Sequence, residues 1–133
     1  MSRSGYSDDC EYLALWRGNI DRATRGKRGQ VFFRDLVAAL DAMPAKRLVA
    51  GEIETTDGEV CALGSLARVR GLALERDDAH YHNILGDKFD IAHQLAQEVM
   101  FENDEGGPYG GETPERRWER VRKWAGEQIK ATP

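Results

Sequence analysis

The segment Gln30-Val31-Phe32-Phe33-Arg34-Asp35-Leu36-Val37-Ala38-Ala39-Leu40-Asp41-Ala42-Met43-Pro44 carries the clearest structural signal in the chain. Phe32, Phe33, Leu36, Val37 and Leu40 recur at the helical period and form a wide apolar stripe. The spacing predicts a helix from Gln30 to Met43. Pro44 ends it, because proline has no amide N–H and its ring clashes with the preceding turn.

Toward the N-terminus, Gly26-Lys27-Arg28-Gly29 predicts a break, with two glycines stopping one helix and starting another at an angle. The helix before it is predicted to start at Ser7-Asp8-Asp9, where acidic residues complement the positive end of the dipole. Tyr12, Leu13, Trp16, Ile20 and Ala23 supply its apolar face. Toward the C-terminus, Thr55-Thr56-Asp57-Gly58-Glu59 is a turn. Around it the pattern is ambiguous: Leu48–Glu54 against Glu59–Ala62 could form a short hairpin, or the first segment a short helix.

Leu63 to Arg70 reads as a helix closed by Gly71. Asp77-Asp78 caps a short one, Ala79 to Leu85, which Gly86 ends. Asp90 is expected to cap a longer helix through Ile91, Leu95 and Val99. Thr113-Pro114-Glu115 opens the last, with Thr as N-cap and Pro in the first turn. Its inward seam is Trp118, Val121, Trp124, Ala125, Gln128 and Ile129. The expected fold is therefore mostly α-helical: a bundle of five or six helices with at most one short β-hairpin. Trp16, Trp118 and Trp124 are its expected anchors.

With 133 residues, 41% hydrophobic and 32% charged, the chain suits a single globular domain spanning 1–133. Residues 1–6 read as a flexible arm and 106–112 as a glycine-rich loop. No apolar run approaches the ~20 residues of a membrane span. Cys10 and Cys61 are the only cysteines and are not in a Cys-x-x-Cys pair, which favours two free thiols in a reducing cytoplasm. Cys61 reads as buried.

Charge is unevenly distributed. The net charge is −4, but residues 1–50 carry +3, residues 51–113 carry −10 and residues 114–133 carry +3. Two surfaces compete as binding sites. The acidic set is Asp77, Asp78, Glu98, Glu102, Asp104 and Glu105. Glu98, Glu102 and Glu105 lie at i, i+4 and i+7, so they share one helix face. Such a stripe can mimic nucleic-acid phosphates. The basic set is Arg22, Arg25, Lys27 and Arg28, flanked by Arg17 and Arg34, with Asp21 the only acid among them. Such a cluster at an inter-helix turn can grip a nucleic-acid backbone or an acidic protein surface.

Signals for catalysis, metals and cofactors are weak. His80 and His82 would project about 200° apart on a helix and could not share a metal. Asp77, Asp78, Asp87 and Asp90 lack the calcium-loop pattern. Gly110-Gly111-Glu112 places a carboxylate where a phosphate loop needs Lys and Ser or Thr. Ser65 lacks the second glycine of a nucleophile elbow. A helix-turn-helix over Leu63–Leu85 would put Asp77 and Asp78, with no clustered Lys or Arg, on its reading helix. The reading is of a non-enzymatic protein with no cofactor.

Several stretches resemble a family of small, functionally uncharacterised proteins of phages and prophages of Gram-negative bacteria. They are Ser2-Arg3-Ser4-Gly5-Tyr6-Ser7-Asp8-Asp9, Arg25-Gly26-Lys27-Arg28-Gly29-Gln30, Ala39-Leu40-Asp41-Ala42-Met43-Pro44, Lys46-Arg47-Leu48, Val60-Cys61-Ala62-Leu63-Gly64, Glu102-Asn103-Asp104-Glu105 and Thr113-Pro114-Glu115-Arg116-Arg117-Trp118. Residues 72–89 fit it least. The resemblance implies a phage-related origin and a host cytoplasm. It leads to the expectation of a binding protein that inhibits a host defence complex, in the manner of CRISPR inhibitors, through the acidic surface. The alternative is a nucleic-acid-binding accessory protein using the basic turn at 25–29. The expected partner is a host protein or nucleoprotein, with nucleic acid as the alternative and no membrane.

Overall fold

Phe32, Phe33, Leu36 and Leu40 are fully buried, so the helix that carries them lies at the centre of the molecule. The computed structural model describes residues 13–75, 82–108 and 111–130. Six helices are present among them: α1 (Leu13–Arg25), α2 (Lys27–Ala42), α3 (Ala62–Arg70), α4 (His82–Phe89), α5 (His93–Glu105) and α6 (Pro114–Glu127). No strand occurs among the described residues. α2 packs against α1, α3 and α6, while α5 packs against α1, α3, α4 and α6. The fold is all-α, as the apolar periodicity predicts. No helix of the described residues is long and apolar enough to cross a membrane.

α2 begins three residues earlier than expected, at Lys27. Gly26 alone forms the break, with an extended backbone at the N-cap. Gly29 lies inside the helix for a steric reason. A Cβ there would sit 1.9 Å from the Ala23 carbonyl oxygen and 2.8 Å from that of Thr24. Its lack of a side chain lets the first turn of α2 press against the last turn of α1.

Between α2 and α3 the chain forms a hairpin-like turn without assigned strands. Glu54 and Val60 make an isolated antiparallel bridge. The Thr55 amide donates to the Glu59 carbonyl (2.8 Å), and that of Cys61 to the Ile53 carbonyl (3.1 Å). Gly58, with φ of 83°, supplies the left-handed residue of the Asp57-Gly58 turn. The extended alternative is thus the one adopted, in its shortest form.

α3 ends as expected. Gly71 is left-handed, and the Leu72 and Gly71 amides donate back to the Ala67 (2.9 Å) and Arg68 (3.4 Å) carbonyls, a Schellman pair. α4 departs from expectation. It runs through Gly86 to Phe89, and Asp90, at φ of 57°, closes it. The Ile91 amide donates to the Gly86 carbonyl at 2.9 Å. Asp90 is therefore the terminator of α4, not the cap of α5, whose N-cap is Ala92. An aspartate tolerates the left-handed region well enough for this role. α6 starts as predicted, with the Thr113 side chain accepting from the Arg116 amide (3.2 Å).

The core is built on phenylalanine and leucine more than on tryptophan. Phe32 meets Phe33 and Phe89 edge-on, with ring centres 5.2 and 6.2 Å apart. Trp16, Trp118 and Trp124 are only partly buried and pack on the margin of this cluster. Trp124 lies edge-on to Phe33 at 5.5 Å, and the Trp118 indole N–H donates to the Leu40 carbonyl (3.1 Å). An indole N–H needs a partner once buried, which favours such a position. Cys61 is buried and has a free thiol. Cys10, the arm 1–6, the first helix start at 7–9, Asp77, Asp78, His80 and Tyr109 lie outside the described residues.

Candidate functional site

The acidic face of α5 turns inward at one end. Glu98 is 4% exposed, and its carboxylate lies 2.5 Å from the Arg17 guanidinium of α1. Glu102, one turn on, is half-buried and stands 3.8 Å from Arg120 of α6. Burial, and then the neighbouring Glu98 charge, push its carboxyl above the usual range. Asp104 accepts from the Gly51 amide (3.1 Å) and the Asn103 side chain (2.8 Å). Only Glu105 of these four is exposed. The i, i+4, i+7 spacing thus puts the carboxylates on one face, but the face is not an open stripe.

Asn103 and Glu112 are structural residues that sequence reasoning did not single out in this role. The buried Asn103 side chain accepts from the Ala62 amide at the start of α3 (3.0 Å) and donates to the Val49 carbonyl (2.9 Å). Glu112, at the end of the glycine-rich loop, accepts two bonds from Arg120 (2.8 and 2.9 Å). The Arg120 hydrogen bonds hold its carboxyl below the usual range. Neither role carried a local sign, since Asn103 lies inside α5 and bonds Ala62 and Val49, 41 and 54 residues away, and the spacing of Glu112 from Arg120 marks no pair.

The basic residues are placed differently. Arg22 and Arg25 end α1, and Lys27 and Arg28 begin α2; all four are exposed. One residue separates the two helices, so these cations converge on a single elbow. Arg22 bonds Asn19, a neutral group. Arg28 lies 3.2 Å from Asp90, with both side chains largely exposed, a pairing that solvent makes weak. Among the described residues no other carboxylate bonds any of the four. Arg34 is exposed farther along α2. No Phe or Trp side chain of the described residues is exposed, though Trp16, Trp118 and Trp124 are partly so.

Two features fix the elbow. Gly29 allows the backbone approach described above. Gln30, 8% exposed, donates its amide to the Thr24 carbonyl of α1 (2.8 Å) and to the Gln128 carbonyl beyond α6 (2.9 Å). Both carbonyls lie at helix C-terminal ends, where backbone acceptors lack intrahelical donors.

A groove of about 230 Å³ lies between the end of α2, the 58–60 turn and α3. Its lining includes the apolar Ala39, Met43, Val60 and Val69. Arg47 and Arg68 at its rim are engaged by Glu59 (2.8 Å) and Glu54 (2.7 Å), and the Ser65 hydroxyl donates to the Ala62 carbonyl (2.6 Å). Among the described residues, no group of three or more His, Cys, Asp or Glu could hold a metal ion. His93 is exposed, 3.8 Å from Asp87.

No family model, curated protein or solved structure matches the chain, so the site rests on its own chemistry.

Proposed function

We propose that this protein is a non-enzymatic binding protein whose α1–α2 elbow grips the phosphate backbone of a nucleic acid. The observation that carries this reading is the convergence of Arg22, Arg25, Lys27 and Arg28 on one exposed elbow, with Asp90 as the only bonded carboxylate among the described residues. Cations left to solvent release condensed counterions when they meet phosphates, which supplies affinity without sequence selectivity. With the resemblance to phage and prophage chains, the proposed setting is the cytoplasm of a host bacterium.

The reading in which the chain blocks a host defence complex through an acidic, phosphate-like face draws less support. Such a face needs hydrated carboxylates, whereas Glu98 is committed to Arg17 and Asp104 to a backbone amide.

The test is fluorescence anisotropy with a labelled DNA duplex at low salt. The wild type should bind, with an affinity that tightens as salt is lowered and a Kd of about 10⁻⁴–10⁻⁶ M at physiological salt. The Arg25→Ala/Lys27→Ala/Arg28→Ala variant should bind at least about tenfold more weakly while remaining folded by circular dichroism. Equal binding by both would refute the proposal.

A further inference from the structure

We infer that Lys130 is a fifth cation of the elbow site and that Gln30 is the positioning residue that brings it there; this rests on the nucleic-acid reading. Lys130 is 105 residues from Arg25 in sequence, and nothing in its local context marks it. Three bonds place it. Its backbone amide donates to the Gln30 side-chain oxygen (2.8 Å). Its ammonium donates to the Arg25 carbonyl (2.9 Å). The Gln30 amide holds the Gln128 carbonyl two residues earlier (2.9 Å).

Gln30 uses both its donor and its acceptor functions here. It ties the end of α1 to the segment leaving α6 and receives the Lys130 amide. A buried amide with its groups satisfied is rigid, because breaking any bond would strand a polar atom away from water. The Lys130 ammonium meets a neutral carbonyl and no carboxylate among the described residues. Its charge is therefore not neutralised, and the side chain is exposed. The site becomes composite: two cations from α1, two from α2 and one from beyond α6. Charges held in fixed relation lose less freedom on binding than the same charges on a loose tail.

The experiment measures affinity for a DNA duplex as a function of salt in the full chain. Lys130→Ala should weaken binding about threefold to tenfold and reduce the slope of log K against log salt by about one. Arg116→Ala, an equal charge loss at the other end of α6, should change neither. In a Gln30→Ala background, Lys130→Ala should add less than about a twofold loss. A purely structural Gln30 would lower stability but leave the Lys130 effect intact. Wild-type binding with Lys130→Ala indistinguishable from Arg116→Ala overturns the inference and leaves the function reading standing. A full Lys130 effect without Gln30 overturns the positioning role. Absence of wild-type binding at low salt overturns both. If Gln30→Ala fails to fold, Gln30→Met replaces it, because that variant fills a similar volume, adds no charge and loses the donated and accepted bonds alike.

Discussion

The α1–α2 elbow and the acidic face of α5 begin as the same kind of signal, a run of like charges at close spacing, and end as opposites. At the elbow the charges sit on two helix ends that meet at one residue, and they point to solvent. On α5 Glu98 and Glu102 face α1 and α6, where Arg17 and Arg120 meet them. The difference lies in what the fold packs against each element. A charge cluster on a helix end has few neighbours to neutralise it. A cluster along a central helix has neighbours on several sides.

The largest expected effect tests the rigidity of the elbow. Gly29→Ala would force a Cβ to within 1.9 Å of a backbone oxygen that cannot rotate away. It should cost at least about 3 kcal/mol, at or beyond the upper range for overpacked sites, measured by urea unfolding. A cost below about 1 kcal/mol would mean that the helices can part, and the elbow would not be pre-formed.

Next is the inward face. Glu98→Ala should destabilise by about 1–3 kcal/mol, because the half-exposed Arg17 loses its carboxylate. Glu105→Ala, on the exposed end of the same face, should stay within about 0.5 kcal/mol. Equal effects would erase the distinction between a buried and an exposed acid.

The two carboxyls that meet Arg120 give opposite pH dependence. Glu112 is held below its usual range, so its stabilisation is full above the unfolded value and is lost as pH falls through the folded one. Glu112→Gln should therefore lower stability by about 1.5–3 kcal/mol at neutral pH, and its difference from wild type should close in acid. Glu102 is raised, so its ionisation opposes folding above its folded value, and that penalty disappears as pH falls below it. Glu102→Gln should be neutral to stabilising by under about 1 kcal/mol at neutral pH. A stability loss on Glu102→Gln at neutral pH would contradict this assignment.

The sequence revealed the helices most clearly where periodicity and end signals agreed. The apolar stripe of α2 with Pro44, and Thr113-Pro114 before α6, are such cases. Gly71 after α3 worked for the same reason, since a left-handed terminator is a local property. Glycine was misread where its role was tertiary. Gly29 and Gly86 resemble breakers, yet both sit inside helices because another backbone approaches there. Asp90 resembles a cap, yet it takes the left-handed position that closes α4. The site divides in the same way. The four elbow cations were visible because they lie close together in sequence, between positions 22 and 28. Lys130 was not, because only the Gln30 bonds across about 100 residues of chain bring it to them. The pairing of Glu98 with Arg17, 81 residues apart, was hidden for the same reason.

The most direct test of the central claim is the salt dependence of DNA-duplex binding, compared for wild type, Arg25→Ala/Lys27→Ala/Arg28→Ala and Glu105→Gln. The elbow account predicts a wild-type slope of log K against log salt of about −3 to −5, a slope about three smaller in magnitude for the triple variant, and no loss of affinity for Glu105→Gln. A wild type that does not bind at low salt, or a triple variant with the wild-type slope, would contradict it.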